Sequence, residues 1–191
     1  MRSAVFLDRD GTMIEDVGYL ASLRRIAFYP WTVDAIRMLN RTGLAVVVVT
    51  NQSGVARGMF SDAFVGETHR GIEAQLAAGG ARVDAYYHCP HHPDGRVAAY
   101  ARTCTCRKPG RGMIDQAAAD LGLDPRRSFV VGDKWIDVQL GRAVGSRAIL
   151  VRTGAGAEEE LSPPPGVAAD AVVDNLAAAA GWIIRNLNPE P

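Results

Sequence analysis

Val5-Phe6-Leu7-Asp8-Arg9-Asp10-Gly11-Thr12 decides how this chain is read. An apolar run, Ala4 to Leu7, stops at two aspartates spaced two apart, and glycine and threonine follow at once. That is the pattern of a buried strand breaking into a loop. Side chains two apart on an extended segment point the same way, so Asp8 and Asp10 are placed to converge on one metal ion or one reacting group. An Asp-rich turn that only ends a strand would read the same in isolation. The rest of the chain has to decide between them.

Outward from that strand, segments of helical and extended pattern alternate. Strands are expected at Leu44 to Val49, Val83 to Tyr87, Phe129 to Val131, Ala148 to Val151 and, at an edge, Ala171 to Val173. Helices are expected at Trp31 to Thr42, at Ser61 to Ala78 with Ser61 as N-cap, at Gly112 to Leu121, at Ile136 to Val144, and finally up to about Asn186. Such alternation implies an α/β fold, a Rossmann-like doubly wound parallel sheet covered on both faces. Two stretches interrupt the rhythm. Residues 14–29 are too many for a simple strand-to-helix loop and are expected to form a small flap over the strand ends. Residues 88–108 form a second insertion. The Gly- and Pro-rich piece from Gly154 to Gly166 reads as a solvated surface connection without a function.

With 191 residues, 48% of them hydrophobic, the chain can bury one full core, and a single domain over residues 1–191 is expected. Lys+Arg and Asp+Glu are both 21, so there is no net basic field to attract nucleic acid or anionic lipid. Met1-Arg2-Ser3 runs directly into the first strand, and no apolar run approaches the length of a membrane span, which leads to the expectation of a cytoplasmic protein. Three cysteines confined to Cys89 through Cys106 do not make a secreted disulfide framework. Their neighbours are histidines, which suggests metal.

In a doubly wound sheet, ligands bind outside the carboxyl ends of the strands. Here those ends carry Asp8-Arg9-Asp10, then Thr50-Asn51-Gln52-Ser53-Gly54, then Gly132-Asp133-Lys134 with Asp137 a turn later, while Lys108 follows the cysteine insertion. This set resembles the haloacid dehalogenase superfamily of phosphotransferases, whose motifs are D-x-D-G-T, a strand-end Thr or Ser, a Lys and G-D-x-x-x-D. All four occur in the family's order. The resemblance implies a haloacid dehalogenase fold without a large cap domain. It makes Asp8 the nucleophile, Asp10 the acid and base, and Thr50 and Lys108 the holders of the phosphoryl oxygens. Mg²⁺ would sit on the Asp8 and Asp133 carboxylates and the Asp10 backbone carbonyl. That arrangement suits phosphoryl transfer, which mostly needs charge placed and oxygens held in line. Asp137 is expected behind the ligands, capping a helix or orienting Lys134 and metal waters.

Cys89-Pro90-His91 and Cys104-Thr105-Cys106 offer two pairs of soft ligands. Three thiolates and an imidazole suit a closed, tetrahedral, structural Zn²⁺, and by spacing His88 and His92 rival His91. The sequences C-P-H-H-P and C-x-C-R-K-P, with Gly18-Tyr19, Val47 to Gly58, Val131 to Lys134 and Leu150 to Gly154, resemble the zinc-carrying heptose-bisphosphate phosphatase family within that superfamily, in its histidinol-phosphatase-like branch. The resemblance covers nearly the whole chain. It implies zinc ligands Cys89, His91, Cys104 and Cys106. It also puts Asp16, Val17, Gly18, Tyr19, Arg107 and Lys134 beside the substrate, and Thr50, Asn51, Gln52 and Ser53 around the phosphate. Arg57 is a further candidate phosphate clamp.

The implied activity is Mg²⁺-dependent removal of the 7-phosphate of a heptose 1,7-bisphosphate in nucleotide-heptose and lipopolysaccharide synthesis, by a monomer acting on a small phosphorylated sugar. Histidinol phosphate is the nearest alternative substrate. A nucleic-acid 3′-phosphatase fits poorly with zero net charge, and a non-catalytic zinc module fits poorly with intact Asp8 and Asp10.

Overall fold

Ala45-Val46-Val47-Val48-Val49 carries no polar side chain and is buried throughout, as a strand covered on both faces must be. The computed structural model describes residues 1–187. Six strands, β1 (Ala4–Leu7), β2 (Ala45–Asn51), β3 (Ala85–Cys89), β4 (Phe129–Gly132), β5 (Arg147–Val151) and β6 (Ala171–Val173), form one sheet in the order β3-β2-β1-β4-β5-β6. Every pairing is parallel. The chain lays down β1, β2 and β3 in one direction, then returns to place β4 on the other side of β1. The strand order therefore reverses between β1 and β4, and a crevice opens at their carboxyl ends.

The helices are α1 (Thr32–Arg41), α2 (Asp62–Ala78), α3 (Gly112–Leu121), α4 (Trp135–Val144), the short α5 (Gly156–Glu159) and α6 (Leu176–Arg185). Alternation along the strands sends Val5, Leu7, Val46 and Val48 to one face, against Ile36 and Leu39 of α1, Ile72 of α2 and Ile183 of α6. Ala4, Phe6, Val47 and Val130 go to the other, against Met113 and Ile114 of α3 and Leu140 of α4. Ser61 caps α2 by accepting from the Phe64 amide, as the sequence suggests. Among the described residues, no helix is long and apolar enough to cross a membrane.

Two expectations need correction. The third strand runs from Ala85 to Cys89 rather than from Val83 to Tyr87, because Asp84 closes the start of its ladder. The Asp84 amide donates to the Val46 carbonyl and its carboxylate accepts from the Val46 amide, both at 2.7 Å. Pairing then continues to Thr50 with His88 and Asn51 with Cys89, so the first cysteine stands at a strand tip beside the crevice and not in a free loop. The Gly154 to Gly166 connection is likewise more than solvated surface. It contains α5, whose Glu159 accepts from the Trp135 amide at 2.8 Å and from the Trp135 indole at 2.6 Å, tying it to the start of α4.

Residues 14–29 fold back on themselves through an antiparallel bridge between Ile14 and Phe28 and a bond from the Glu15 amide to the Ala27 carbonyl at 2.9 Å. Leu20 is buried there, and Val17 packs on the core.

Phe6 is fully buried between the sheet and α3 and α4. Phe6→Ala is expected to cost about 3–5 kcal/mol in a urea unfolding titration. A loss below about 1 kcal/mol would contradict this packing.

Candidate active site

The crevice is built around one buried ammonium. Lys108 reaches in from the segment after the cysteines, and its Nζ lies 2.7 Å from Asp8 Oδ1 and 2.6 Å from Asp137 Oδ1, and donates to the Val49 carbonyl at 3.0 Å. Burial alone would push its pKa down, but the carboxylates of Asp137 and Asp8 outweigh that and hold it above its ordinary value. The lysine arrives there because Asn51 grips its backbone. Asn51 Oδ1 accepts from the Lys108 amide at 3.0 Å and Asn51 Nδ2 donates to its carbonyl at 3.3 Å. Asn51, expected around the phosphate, thus has its side-chain amide engaged in placing Lys108.

Asp10 faces a different partner. Arg9, only 2% exposed, folds back so that its Nε and Nη2 donate to the Asp10 carboxylate at 3.1 and 3.0 Å. Gln52 Nε2 adds a bond to Asp10 Oδ2 at 2.8 Å and another to Thr50 Oγ1 at 2.8 Å. Thr50 and Asp10 are therefore oriented by the same amide. The convergent carboxylates are those of Asp8, Asp133 and Asp137, with oxygens within 4.8 Å of one another. Asp10 contributes no carboxylate to that group, which leaves its backbone carbonyl as its means of reaching an ion.

Asp133 has the geometry of a metal ligand. It is fully buried, its Oδ2 accepts from the Ala155 amide at 2.9 Å, and its Oδ1 has no partner. Gly11 (φ +83°) and Gly154 (φ +58°) close over it in left-handed conformations, and a Cβ on either would overlap Asp133 Oδ2. Burial and the neighbouring negative charge of Asp8 push the Asp133 pKa up to about 7, and burial likewise raises Asp137 to about 6 despite Lys108. An orphaned buried oxygen among like charges fits a hard cation such as Mg²⁺.

The surrounding cavity, of about 460 Å³, is lined by Asp8, Asp10, Asp16, Gly18, Tyr19, Thr50, Gln52, Ser53, Arg107, Lys108 and Lys134 among others. Lys134 Nζ donates to Asp16 Oδ2 at 3.2 Å, joining the flap to the start of α4. The Lys134 amide donates to Asp137 Oδ2 at 3.2 Å, so Asp137 caps α4 while meeting Lys108. Val17 does not line the cavity, because its side chain packs on the core. Arg57 also stays outside, with its Nη2 3.3 Å from His92 Nε2. Phe60 and Ile136 line the cavity without having been expected there. Phe60 lies in the segment before α2 and Ile136 in the first turn of α4, at an unspecified position of G-D-x-x-x-D, and an apolar side chain at either place gives no sign of facing a ligand.

Behind the crevice, Cys89, His91, Cys104 and Cys106 form a second cluster. Its Sγ–Sγ distances are 3.5, 3.1 and 3.3 Å, and His91 Nδ1 lies 3.8 Å from Cys89 Sγ and 3.3 Å from Cys106 Sγ. Zn–S bonds of about 2.3 Å in a tetrahedron would put sulfurs roughly 3.8 Å apart, so the group closes around a Zn²⁺ with little movement. Burial raises the Cys89 and Cys106 thiols, a cost that a metal ion replacing their protons would relieve. His88 is engaged instead with Asp62, at 2.7 Å, and His92 with Arg57.

A HAD-hydrolase-like family model matches residues 105–179. Among curated proteins, the D-glycero-beta-D-manno-heptose-1,7-bisphosphate 7-phosphatase of Yersinia pestis is 44% identical over 176 residues, covering 91% of each chain. That of Escherichia coli strain K12 is 42% identical over 188 residues, covering 97% of this chain and 96% of the other. Among solved structures, the D,D-heptose 1,7-bisphosphate phosphatase of B. bronchiseptica, complexed with magnesium and phosphate, has a TM-score of 0.85 at 33% identity, covering 96% of this chain and 99% of the other.

Because Asp133 holds its proton more tightly folded than unfolded, its contribution in the metal-free protein falls as pH rises from about 4 towards 7. A divalent cation substitutes for that proton. Mg²⁺ should therefore raise the melting temperature more at about pH 8 than at about pH 5, and Gly154→Ala should abolish the shift. Equal shifts at both pH values would contradict the metal assignment. Cys104→Ser should lower both bound zinc and melting temperature, whereas unchanged values of both would remove the structural-zinc reading.

Proposed function

The chain belongs to the haloacid dehalogenase-like phosphatases related to D-glycero-beta-D-manno-heptose-1,7-bisphosphate 7-phosphatase, and on that premise we propose that it hydrolyses the 7-phosphate of this heptose bisphosphate in heptose synthesis for lipopolysaccharide. The observation that carries the reading is the match along almost the full length of both chains, zinc loop included, rather than over the catalytic motifs alone. The β configuration is taken from the names of those relatives.

In this mechanism the Asp8 carboxylate attacks phosphorus, the bond from phosphorus to the sugar oxygen breaks, and Asp10 gives its proton to the departing oxygen. Asp10, now a carboxylate, takes a proton from the water that attacks the aspartyl phosphate, which returns Asp8 and releases phosphate. Lys108 and the Thr50 hydroxyl hold phosphoryl oxygens as charge develops on them. Mg²⁺, held by Asp8, Asp133 and the Asp10 carbonyl, would supply neutralisation of that charge. Arg107, whose Nη1 donates to the His91 carbonyl at 3.4 Å, and Lys134 provide the cations for the second phosphate at the cavity rim.

A neutral imidazole end, as in histidinol phosphate, would leave Arg107 without an anion. Purified protein should turn over the heptose bisphosphate at least tenfold more efficiently than histidinol phosphate, and the β anomer faster than the α, measured as phosphate release. The reverse order would exclude this substrate. Asp8→Asn should lose at least about 10³-fold in kcat, and retention of full turnover would exclude covalent catalysis through Asp8.

A further inference from the structure

Arg9 is a buried cation whose role neither the fold nor the proposed chemistry uses. Its guanidinium carries five donors and no acceptor, and only part of that fork is satisfied by Asp10. Its Nη1 turns the opposite way, 3.4 Å from Nε2 of His69, a residue of α2 that does not line the cavity. Since arginine can only donate, His69 Nε2 must accept, which fixes the imidazole as neutral with its proton on Nδ1.

The surroundings enforce that state. His69 is 7% exposed, stacks on Tyr86 with ring centroids 4.7 Å apart, and meets the edge of His88 at 5.8 Å. Burial, and then the charges of Arg9 and His88, push its pKa down to about 3, so it remains an acceptor at working pH. His88 is in turn fastened to Asp62 at the start of α2. A line of contacts therefore runs from α2 and β3 to the tip of β1, and ends on the carboxylate that must change protonation state twice per turnover.

We propose that His69 is a positioning residue for the reaction: by accepting from Arg9 it holds the guanidinium fork that orients Asp10. Without that acceptor Arg9 has a buried donor to satisfy and turns to find another partner, and the Asp10 carboxylate moves with it. The inference rests on the aspartyl-phosphate reading of Asp8 and Asp10. It predicts a defect in the step where Asp10 acts as base, because misplacing a general base slows proton transfer without removing the nucleophile.

The test is denaturing quench of the protein during steady-state turnover of a phosphorus-labelled aryl phosphate with Mg²⁺ present. An aryl leaving group needs little help from an acid, so formation of the aspartyl phosphate stays fast while its hydrolysis still needs Asp10. His69→Phe is expected to lower turnover about tenfold and to raise the labelled fraction per folded chain several-fold. His69→Gln, whose Oε1 can accept where Nε2 does, is expected to restore both. His69→Leu replaces the Phe variant if that protein melts below the assay temperature. A labelled fraction equal to that of the parent, or Gln behaving as Phe does, would overturn the proposal and leave His69 a packing residue. Label persisting in Asp8→Asn would overturn the nucleophile assignment, and this inference with it.

Discussion

The Lys108 ammonium between Asp8 and Asp137 is the contact on which the rest of the site depends. Two buried carboxylates, one at the tip of β1 and one in the first turn of α4, repel each other and lose hydration, and removing one partner of such a buried group typically costs about 3–5 kcal/mol. Neither β1 nor β4 can supply the compensating cation from its own residues. It comes instead from a distant loop, delivered by the Asn51 clamp on the Lys108 backbone and by Cys106 two residues earlier in the second cluster. A Cys/His cluster suited to zinc and remote from the chemistry is thereby coupled to it through two peptide bonds. That coupling is a reason for the loop to be rigid at all.

The same crowding explains why the crevice suits a phosphate ester. Lys108 meets one oxygen of Asp8 and one of Asp137 and none of Asp133, whose buried Oδ1 has no hydrogen-bond partner. A cation there turns an electrostatic cost into a site for phosphoryl oxygens, and the close approach of Gly11 and Gly154 leaves no space for a side chain to intervene. The cations at the rim, Arg107 and Lys134, lie on the cysteine-loop side and the α4 side of the same cavity. A substrate with an anion at each end matches that spacing of charge better than one with a single phosphate.

Much of this was legible in the sequence because strand ends in a doubly wound sheet collect in one place. An uninterrupted apolar run followed by Asp8 and Asp10 identifies both the strand and its tip, and the helices follow their periodicity to within a residue or two. The less legible features are those whose signal lies in a partner. The start of β3 depends on Asp84 closing onto Val46, which propensity cannot register. The site contact of Gly154 and Ala155 was hidden by a composition typical of surface loops. Val17 turned inward although its neighbours face the cavity, because alternation in an irregular segment cannot be read without its bridge to Phe28. Arg9 reads as a charged residue between two acids, and only the fold reveals it as buried. The one available sign was a cation at a position where a strand tip should be apolar or acidic.

The central claim is that Asp8 carries the phosphoryl group during turnover. Mass spectrometry of the peptide containing Asp8, after denaturing quench of the protein with heptose bisphosphate and Mg²⁺, tests it most directly. A phosphoryl group on Asp8 that disappears once substrate is exhausted is the predicted result. Continued phosphate release with that peptide unmodified, or with the group on another residue, would contradict the account.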